Sequence, residues 1–480
     1  MTFPAIVNLF PFAADIVVLV GILAILVLDL LLPHGDKRVL GGLTILTLVV
    51  AFAVSLFYPM NGEAWGGAYV GTPMALFFKR IFYVGGILGT LGVRQQAITE
   101  FTRRQGEYFV LILVSVFGMS LLPGVRDAIL LVVAFETMGI PLYVLSAYAR
   151  EDKKAVEGAL KLYLVGAASS ATMLFGLSLL FGLAGSTSLM AIAQHVGAHP
   201  SPLAMVGTVL VLGGMGFKIG VFPFHMWVPD TYEGSRTPFV AFLSAAPKVA
   251  GFALLLQLLL PAGGALLHLT LPVLMTAAVM TLFVGNFFAI RQSNVKRLLA
   301  YSGIAHVGFL LLALATGTEL GIASLMFYSA GYLFTNMGAF LVVHAVATAG
   351  GDDSVESFNG LFRRSGWLSL AMLCFLLSLA GIPFVVGFWA KLFVFMAIWQ
   401  AGYPALVLLG AGLSVLALFY YLRVVRAMFM TTPKSDAHIT VDFATNAAIA
   451  LCLAGVVGVG IYPTPVFEAA RLAAIGVLGQ

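Results

Sequence analysis

Long apolar stretches, several with a single charged residue inside, make up most of this 480-residue chain. Hydrophobic residues account for 61% of the sequence and charged residues for only 9%. Runs of about eighteen or more apolar residues are typical of membrane-spanning helices, in which the backbone satisfies its own hydrogen bonds. We therefore predict an all-α polytopic membrane protein with about 14 transmembrane helices. The predicted spans are residues 12–32, 38–58, 74–94, 107–123, 127–148, 158–183, 203–224, 237–260, 269–290, 298–316, 320–347, 367–397, 403–429 and 440–462.

The loops between these spans alternate between basic and nearly uncharged. Short cytoplasmic loops carry the excess of lysine and arginine, so we predict a multi-pass membrane protein with both termini on the outer side, which is the periplasm where the membrane is a bacterial inner (plasma) membrane. The other set of loops has only Arg126 and, after the last span, Arg471. The basic residues form no single basic surface, so we expect no nucleic-acid partner. The basic loops hold Lys37, Arg38, Arg94, Arg103, Arg104, Arg150, Lys153, Lys154, Arg236, Arg291, Lys296, Arg297, Arg363, Arg364, Arg423, Arg426 and Lys434.

Four charged residues lie deep within predicted spans: Glu136, Lys218, Lys248 and Lys391. A charge at the bilayer centre costs about 2.5–3.5 kcal/mol on insertion scales, and such residues usually mark a path for ions or protons. Burial disfavours the charged form of a side chain, whereas a nearby opposite charge favours it. Making and breaking a lysine–glutamate pair would therefore move a lysine between states that hold and release a proton. A static ion pair that only fixes helix packing is the alternative.

Four further ionisable residues lie within the predicted spans. Lys161, near the cytoplasmic start of the sixth span, either joins the proton path or extends to the lipid headgroups. His306 either continues a proton route between Lys248 and Lys391 or is a hydrogen-bonded core residue. We interpret Lys79 and Arg80, in the aromatic stretch FFKRIFY, as a contact with lipid or with another subunit.

Glycine and proline interrupt two spans beside a lysine. The seventh span contains LGGMGFKIGVFPFHMW at 212–227, and the twelfth contains SLAGIPFVVGFWAKLF at 378–393. Broken helices in corresponding positions are typical of transporters built from inverted repeats, although glycine and proline also occur in membrane helices without a functional role. Because the breaks are five spans apart, an odd number, the second unit would run in the opposite sense across the membrane. We predict two inverted five-helix repeats, spans 4–8 and spans 9–13, each with a broken helix.

These repeats divide the chain into four predicted segments. Residues 1–106 form an N-terminal three-helix segment, and residues 107–260 form the first antiporter-like repeat. Residues 269–429 form the second, inverted repeat, and residues 430–480 hold the C-terminal span and tail. The tail is expected to lie along the membrane surface as an amphipathic helix.

No motif for another kind of catalytic or cofactor-binding site is recognisable in the sequence. It contains no phosphate-binding glycine loop, and its histidines are not placed as axial haem ligands on two facing helices. Cys374 and Cys452 fall within predicted spans, without the spacing of metal ligands, which indicates two buried thiols. We therefore expect no cofactor and no metal in this chain.

Several motifs, in order along the chain, resemble the N subunit of respiratory NADH:quinone oxidoreductase, complex I. The resemblance covers about 107–426, and PDTYEG (229–234) with SAAPKVAGF (244–252) is peculiar to the N type rather than to the other antiporter-like subunits. The remaining motifs are FETMGIPLYVLSAY (135–148), EGALKLYLVGAASSA (157–171), RQSNVKRLLAYSGIAHVG (291–308), YLFTNMGAF (332–340) and LSLAGIPFVVGFWAKLFVF (377–395).

The resemblance implies a proton-translocating, antiporter-like subunit of the membrane arm, and thus part of a translocase enzyme. Quinone reduction elsewhere in the complex would drive it, and NADH, FMN, the iron–sulfur clusters and quinone would be held by other subunits. Its partners would be other antiporter-like and small membrane-arm subunits and lipids. By matching motif positions, the relay residues would be Glu136, Lys218, Lys248 and Lys391, with Lys161 and His306 along the same axis.

The sequence departs from the family pattern at two places, and two alternative functions stay open. Phe384 and Val385 stand where a second proline and a small polar residue are usual, and Gly139 stands where serine is common. The first departure concerns the geometry of the outer half-channel. The first alternative is a subunit of a multisubunit Na⁺/H⁺ antiporter or of a membrane-bound hydrogenase, and the second is a scaffold that only joins neighbouring subunits.

Overall fold

The fold consists almost entirely of long helices. The computed structural model describes residues 8–33, 37–58, 60–101, 104–433 and 437–478. Within these ranges, 13 helices are long and apolar enough to cross a membrane. Two basic residues of the orientation argument, Arg103 and Lys434, lie outside the described residues. The side of the membrane on which each loop lies stays a prediction.

The helices follow the predicted spans closely, with added turns at several ends. The first ten are α1 (Ala13–Leu31), α2 (Arg38–Phe57), α3 (Pro73–Glu100), α4 (Gln105–Leu121), α5 (Ala128–Ser146), α6 (Lys153–Ala184), α7 (Leu189–Ala198), α8 (Pro202–Ile219), α9 (Trp227–Gly234) and α10 (Thr237–Leu259). The others are α11 (Pro261–Ile290), α12 (Val295–Ala315), α13 (Glu319–Thr348), α14 (Leu361–Arg364), α15 (Gly366–Ala380), α16 (Val386–Gln400), α17 (Pro404–Met430), α18 (Phe443–Ile461) and α19 (Thr464–Leu478).

Two connecting segments have structure that the sequence did not reveal. Between α2 and α3, the short strands β1 (Gly62–Ala64) and β2 (Tyr69–Gly71) pair antiparallel, a small addition to the predicted all-helical fold. Glycines with positive φ make the tight connection between these strands. After α6, the short helix α7 ends with His195 in its last turn and His199 as its C-cap residue, and its first turn is capped by the Ser188 side chain.

Both predicted helix breaks are present. The seventh span ends as α8 at Ile219, where Gly220 adopts φ 77°, and the chain resumes helical structure at Trp227. The twelfth span is divided into α15 and α16, and Gly381 adopts φ 87° at the division. These left-handed conformations suit glycine, which has no side chain to clash with its own backbone. Each break therefore lies close to a lysine, as the sequence predicted.

Helices α10, α12 and α13 occupy the centre of the fold. Every residue of α10 is buried, and α12 and α13 are buried over most of their length. In contrast, α1, α6, α17 and α18 expose apolar side chains over much of their surface. Gly85 and Gly89 allow α3 to approach the α10 side chains Ala246 and Phe242 closely. Small residues permit this kind of close helix packing in membranes.

Candidate functional site

Glu136 and Lys218 face one another between α5 and α8. Lys218 lies in the last turn of α8, is 3% exposed, and has its ammonium 5.2 Å from the ring centre of Tyr143 and 5.4 Å from that of Phe135. Glu136 is partly buried and accepts a hydrogen bond from the Ser170 hydroxyl on α6. The two charges interact through space, without a direct hydrogen bond between them. The structure therefore brings together a glutamate and a lysine that are far apart in sequence.

Lys248 occupies the most enclosed position of the set. It lies in the middle of α10, and no hydrogen-bond partner of its ammonium is found among the described residues. Its ammonium is 5.4 Å from the ring centre of Tyr232. A Cβ placed on Gly303 of α12 would lie 3.0 Å from Lys248 Nζ and 2.9 Å from the Tyr332 hydroxyl, so these two groups face the same point. An amine without a partner in such a place holds a proton only at a cost in free energy.

His306 is surrounded by tyrosine hydroxyl groups. Its Nδ1 lies 2.5 Å from the Tyr328 hydroxyl and its Nε2 lies 3.4 Å from the Tyr421 hydroxyl. The ring of Tyr332, which also faces Lys248, has its centre 5.5 Å from that of His306. Because imidazole and tyrosine both donate and accept hydrogen bonds, this cluster provides exchangeable protons beside Lys248. The sequence indicated His306 but gave no signal for the three tyrosines.

A small cavity leads from His306 towards the break between α15 and α16. It has a volume of about 10 Å³ and is lined by Tyr332, Thr335, Ser378 and Gly387, among others. Thr335 and Ser378 are hydrogen bonded at 3.0 Å, and Ser378 also accepts the amide of Gly387 at 3.1 Å. This volume is close to the minimum that holds one water molecule. Polar groups therefore continue from the histidine to the broken helix.

Lys391 bridges the break in the twelfth span. It lies on α16, is 5% exposed, and donates a hydrogen bond of 2.9 Å to the carbonyl of Ala380, the last residue of α15. Its ammonium is also 5.3 Å from the ring centre of Phe309, one turn after His306 on α12. The carbonyl groups at the end of a half-helix carry partial negative charge. The break thus supplies a partner for a buried cation.

The predicted residues therefore form two groups rather than one continuous chain. Glu136 and Lys218 form the first, and Lys248, His306 and Lys391 form the second. Aromatic side chains pack between them: the Trp227 indole donates to the Phe217 carbonyl at 2.9 Å, and its ring centre lies 6.1 Å from that of Tyr232, which contacts Lys248.

Lys161 lies apart from both groups. Its side chain is 43% exposed and pairs with Glu157 and Asp230, each at 2.8 Å. Asp230 also pairs with Arg297 at 2.8 Å. Partial burial raises the pKa of Asp230, but the hydrogen bonds from Lys161 and Arg297 more than offset this and hold it below its usual value. Lys161 therefore belongs to a charged network near the N-terminal end of α6, and its place on the proton path stays a prediction.

The interpretation of Lys79 as a contact with lipid or another subunit was wrong. Lys79 is 1% exposed and forms an ion pair with Asp15 of α1, with a further hydrogen bond of 3.1 Å to the Pro11 carbonyl. The Tyr83 hydroxyl donates to the other oxygen of Asp15 at 3.2 Å. Arg80 is partly buried and donates to the Ser55 carbonyl at 2.6 Å. The signal that was missed is Asp15, one of two aspartates in the first apolar span.

The two residues that depart from the family pattern at the break, Phe384 and Val385, differ in exposure. Phe384 has φ 75° and is 82% exposed, so its side chain points away from the polar groups. Val385 is buried, and its backbone lies against Gly460 of α18. Neither residue contacts Lys391 through a hydrogen bond. In the described ranges, no three His, Cys, Asp or Glu side chains are arranged to hold a metal ion.

Comparison with known proteins gives one consistent family. The family model described as NADH:quinone oxidoreductase/Mrp antiporter, transmembrane, matches residues 126–417. NADH-quinone oxidoreductase subunit N of Moorella thermoacetica is 38% identical over 458 residues, covering 94% of this chain and 95% of that protein.

Solved structures agree. A chain of respiratory complex I from Thermus thermophilus with bound aureothin aligns with a TM-score of 0.81 and 31% identity, covering 95% of this chain and 98% of that one. A chain of the Mrp complex from Dietzia has a TM-score of 0.88 at 18% identity, covering 98% of each chain, which shows a shared fold alone. The chain belongs to the N-subunit family of NADH:quinone oxidoreductase, the antiporter-like membrane subunits of complex I.

Proposed function

We propose that this subunit translocates protons along its buried glutamate, lysine and histidine residues, driven by quinone reduction elsewhere in the complex. The observation that carries the proposal is Lys248, an ammonium group without a hydrogen-bond partner in the most buried helix of the described chain. Helix packing gains nothing from such a group, because an unpaired buried charge destabilises a fold. A group that must give up and regain a proton explains its presence.

The arrangement of the groups supports a stepwise transfer. Glu136 and Lys218 would exchange a proton in the first group. In the second group, Lys248 would pass a proton towards His306 through Tyr332. Lys391, held at the carbonyl end of α15, would receive it beside the helix break. Lys161 would supply or accept protons at the surface network. The two predicted repeats, 107–260 and 269–429, would each contain one of the broken helices.

Sodium transport, the alternative activity, fits these groups less well. Sodium sites in transporters are built from carbonyl groups at the ends of broken helices. Here the ammonium of Lys391 already donates a hydrogen bond to the carbonyl of Ala380, at the end of the broken helix. A second cation at this place would be repelled by the lysine. Protons need no such coordination site and require only groups that titrate.

The surroundings of the subunit follow from the same proposal. Other antiporter-like and small membrane-arm subunits and lipids would cover the apolar faces of α1, α6, α17 and α18. The protein would lie in the bacterial inner membrane with both termini periplasmic, because the basic loops favour the cytoplasmic side. NADH, FMN, the iron–sulfur clusters and quinone would be bound by the other subunits.

Replacing Glu136 with glutamine tests the proposal, because it removes the charge and almost preserves the shape. We expect NADH-driven proton pumping in sealed membrane vesicles to fall by about tenfold or more, since positioned proton-transfer groups typically contribute on the order of a hundredfold. Glu319→Gln, at an exposed glutamate that begins α13, is the control and should pump normally. Pumping by the unmodified complex should not change when sodium is removed.

Two outcomes would contradict the proposal. Normal pumping by the Glu136→Gln complex would favour the scaffold reading, in which the charge has no transport role. Loss of pumping when sodium is removed would favour the sodium antiporter.

A further inference from the structure

Three polar groups converge on Gly139 of α5. A Cβ built on this glycine would lie 3.0 Å from Lys218 Nζ, 3.5 Å from the Tyr143 hydroxyl and 3.8 Å from Glu136 Oε2. The hydrogen bond from Ser170 occupies the other carboxylate oxygen of Glu136, Oε1. The free oxygen of the glutamate, the ammonium and the hydroxyl therefore all face the same point, where this chain has no side chain.

The Tyr143 hydroxyl has a position that packing alone does not explain. It is buried, and no hydrogen-bond partner for it is found in the part of the chain that the structure describes. Buried hydroxyl groups nearly always have a partner, because an unsatisfied one costs free energy. A Cβ on Gly166 of α6 would lie 2.4 Å from this oxygen, so a glycine in the facing helix makes room for it. Phenylalanine would fill the same site without that cost.

The ring and the hydroxyl of Tyr143 have separable roles. The ring contacts the ammonium of Lys218, with 5.2 Å between Nζ and the ring centre, and its centre lies 6.0 Å from that of Tyr163. These contacts hold the lysine and do not involve the oxygen. Because a tyrosine hydroxyl both donates and accepts hydrogen bonds, the oxygen can contact a carboxylate and an ammonium in turn.

We propose that the Tyr143 hydroxyl carries the proton between Lys218 and Glu136, an inference that rests on the proton-transfer function proposed above. In the transfer step, the Lys218 ammonium gives a proton to the tyrosine oxygen while the hydroxyl gives its own proton to Glu136 Oε2. One N–H and one O–H bond break, and one O–H bond forms on each of the tyrosine and the glutamate. The lysine ends as a neutral amine, the glutamate as a neutral acid and the tyrosine unchanged.

The step needs only a small rearrangement. The lysine stem is flexible, and a lysine that swings towards the hydroxyl keeps its ammonium over the aromatic ring. The glutamate is held by Ser170, so the free oxygen keeps its direction. Gly139 leaves the point between the three groups clear of any side chain. Proton transfer requires contact within hydrogen-bond distance, which charged groups reach more closely in the reacting state than at rest.

Tyr143→Phe tests the proposal by removing only the oxygen. We expect the complex to assemble normally, and proton pumping and quinone reduction to fall about tenfold. The solvent deuterium isotope effect on quinone reduction should rise, because the impaired proton transfer becomes rate-limiting. A packing role for the hydroxyl would leave the isotope effect unchanged. Tyr163→Phe, at the exposed neighbouring tyrosine, is the matched control and should leave rate and isotope effect unchanged.

A second variant tests whether a new hydroxyl can replace the one that Tyr143→Phe removes. Gly139→Ser places a new hydroxyl between the three groups, and the nearest atom that its Cβ meets is the mobile end of Lys218. Added to Tyr143→Phe, it should restore much of the lost rate, because the serine hydroxyl takes over the transfer. Gly139→Ala fills part of the same space without adding a hydroxyl. Added to Tyr143→Phe, we expect it to restore none of the lost rate.

The outcomes separate this inference from the function on which it rests. Normal rates and a normal isotope effect in Tyr143→Phe would overturn the role of the hydroxyl, and failure of that variant to assemble would also overturn it by showing a structural role. If Glu136→Gln abolishes pumping while Tyr143→Phe does not, the proton path stands without the tyrosine. If both variants pump normally, the proposed function itself fails.

Discussion

Lys248→Met is expected to stop proton transport and to make the subunit more stable. Methionine has nearly the volume and flexibility of lysine but no charge, so it fills the same space in α10. The lysine ammonium has no hydrogen-bond partner there, and an unsatisfied buried polar group costs about 1–3 kcal/mol, more when charged. We expect the free energy of unfolding to rise by about 1–3 kcal/mol, and NADH-driven pumping to fall on the order of a hundredfold.

The measurement pairs thermal unfolding of the purified complex with pumping in sealed vesicles. Lys153→Met, at an exposed lysine that begins α6, is the control and should change neither quantity. A stability gained together with a function lost is typical of residues that are kept for activity. A less stable Lys248→Met complex, or one that pumps normally, would show that the lysine contributes to packing instead.

Asp15→Asn is expected to have the largest effect on stability. The change leaves the Lys79 ammonium without its counter-charge between α1 and α3, where both side chains are almost fully buried. Removing one member of a buried ion pair costs about 3–5 kcal/mol. Because the pair joins two N-terminal helices and has no hydrogen bond or ion pair with a relay residue, pumping per assembled complex should stay normal. We would measure the amount of assembled complex and its unfolding temperature.

The double variant Asp15→Asn/Lys79→Met should recover most of the lost stability, because it removes the unpaired charge. Glu319→Gln provides the comparison, since the pair of Glu319 with Arg471 is about half exposed and separated by 3.8 Å. An exposed pair of this kind contributes about 0–1 kcal/mol. If Asp15→Asn is no more harmful than Glu319→Gln, the buried pair has little structural importance.

The spans were predictable because each one is a separate apolar run with charged or turn-forming residues at its ends. The breaks beside Lys218 and Lys391 were predictable too, because glycine and proline interrupt helices for local reasons. In both cases the physical cause lies within about twenty residues of sequence.

Contacts between distant helices were not predictable in the same way. Asp15 lies on the first span and Lys79 on the third, and neither residue alone reveals its partner. The tyrosines around His306 look like ordinary aromatic residues of apolar helices, and only packing shows that Tyr328 and Tyr332 face the histidine. The position of Lys161 depended on Asp230, which lies on the short helix after the first break.

The most direct test of the account is Lys218→Ala in the assembled complex, with quinone reduction by NADH and proton pumping measured on the same sealed vesicles. Lys218 is the lysine that links the first broken helix to the glutamate. The account predicts that both activities fall together while assembly is preserved, because proton transfer at this lysine is part of each turnover. An unchanged number of protons pumped per NADH, at a normal rate of quinone reduction, would contradict it and leave Lys218 as a residue of helix packing.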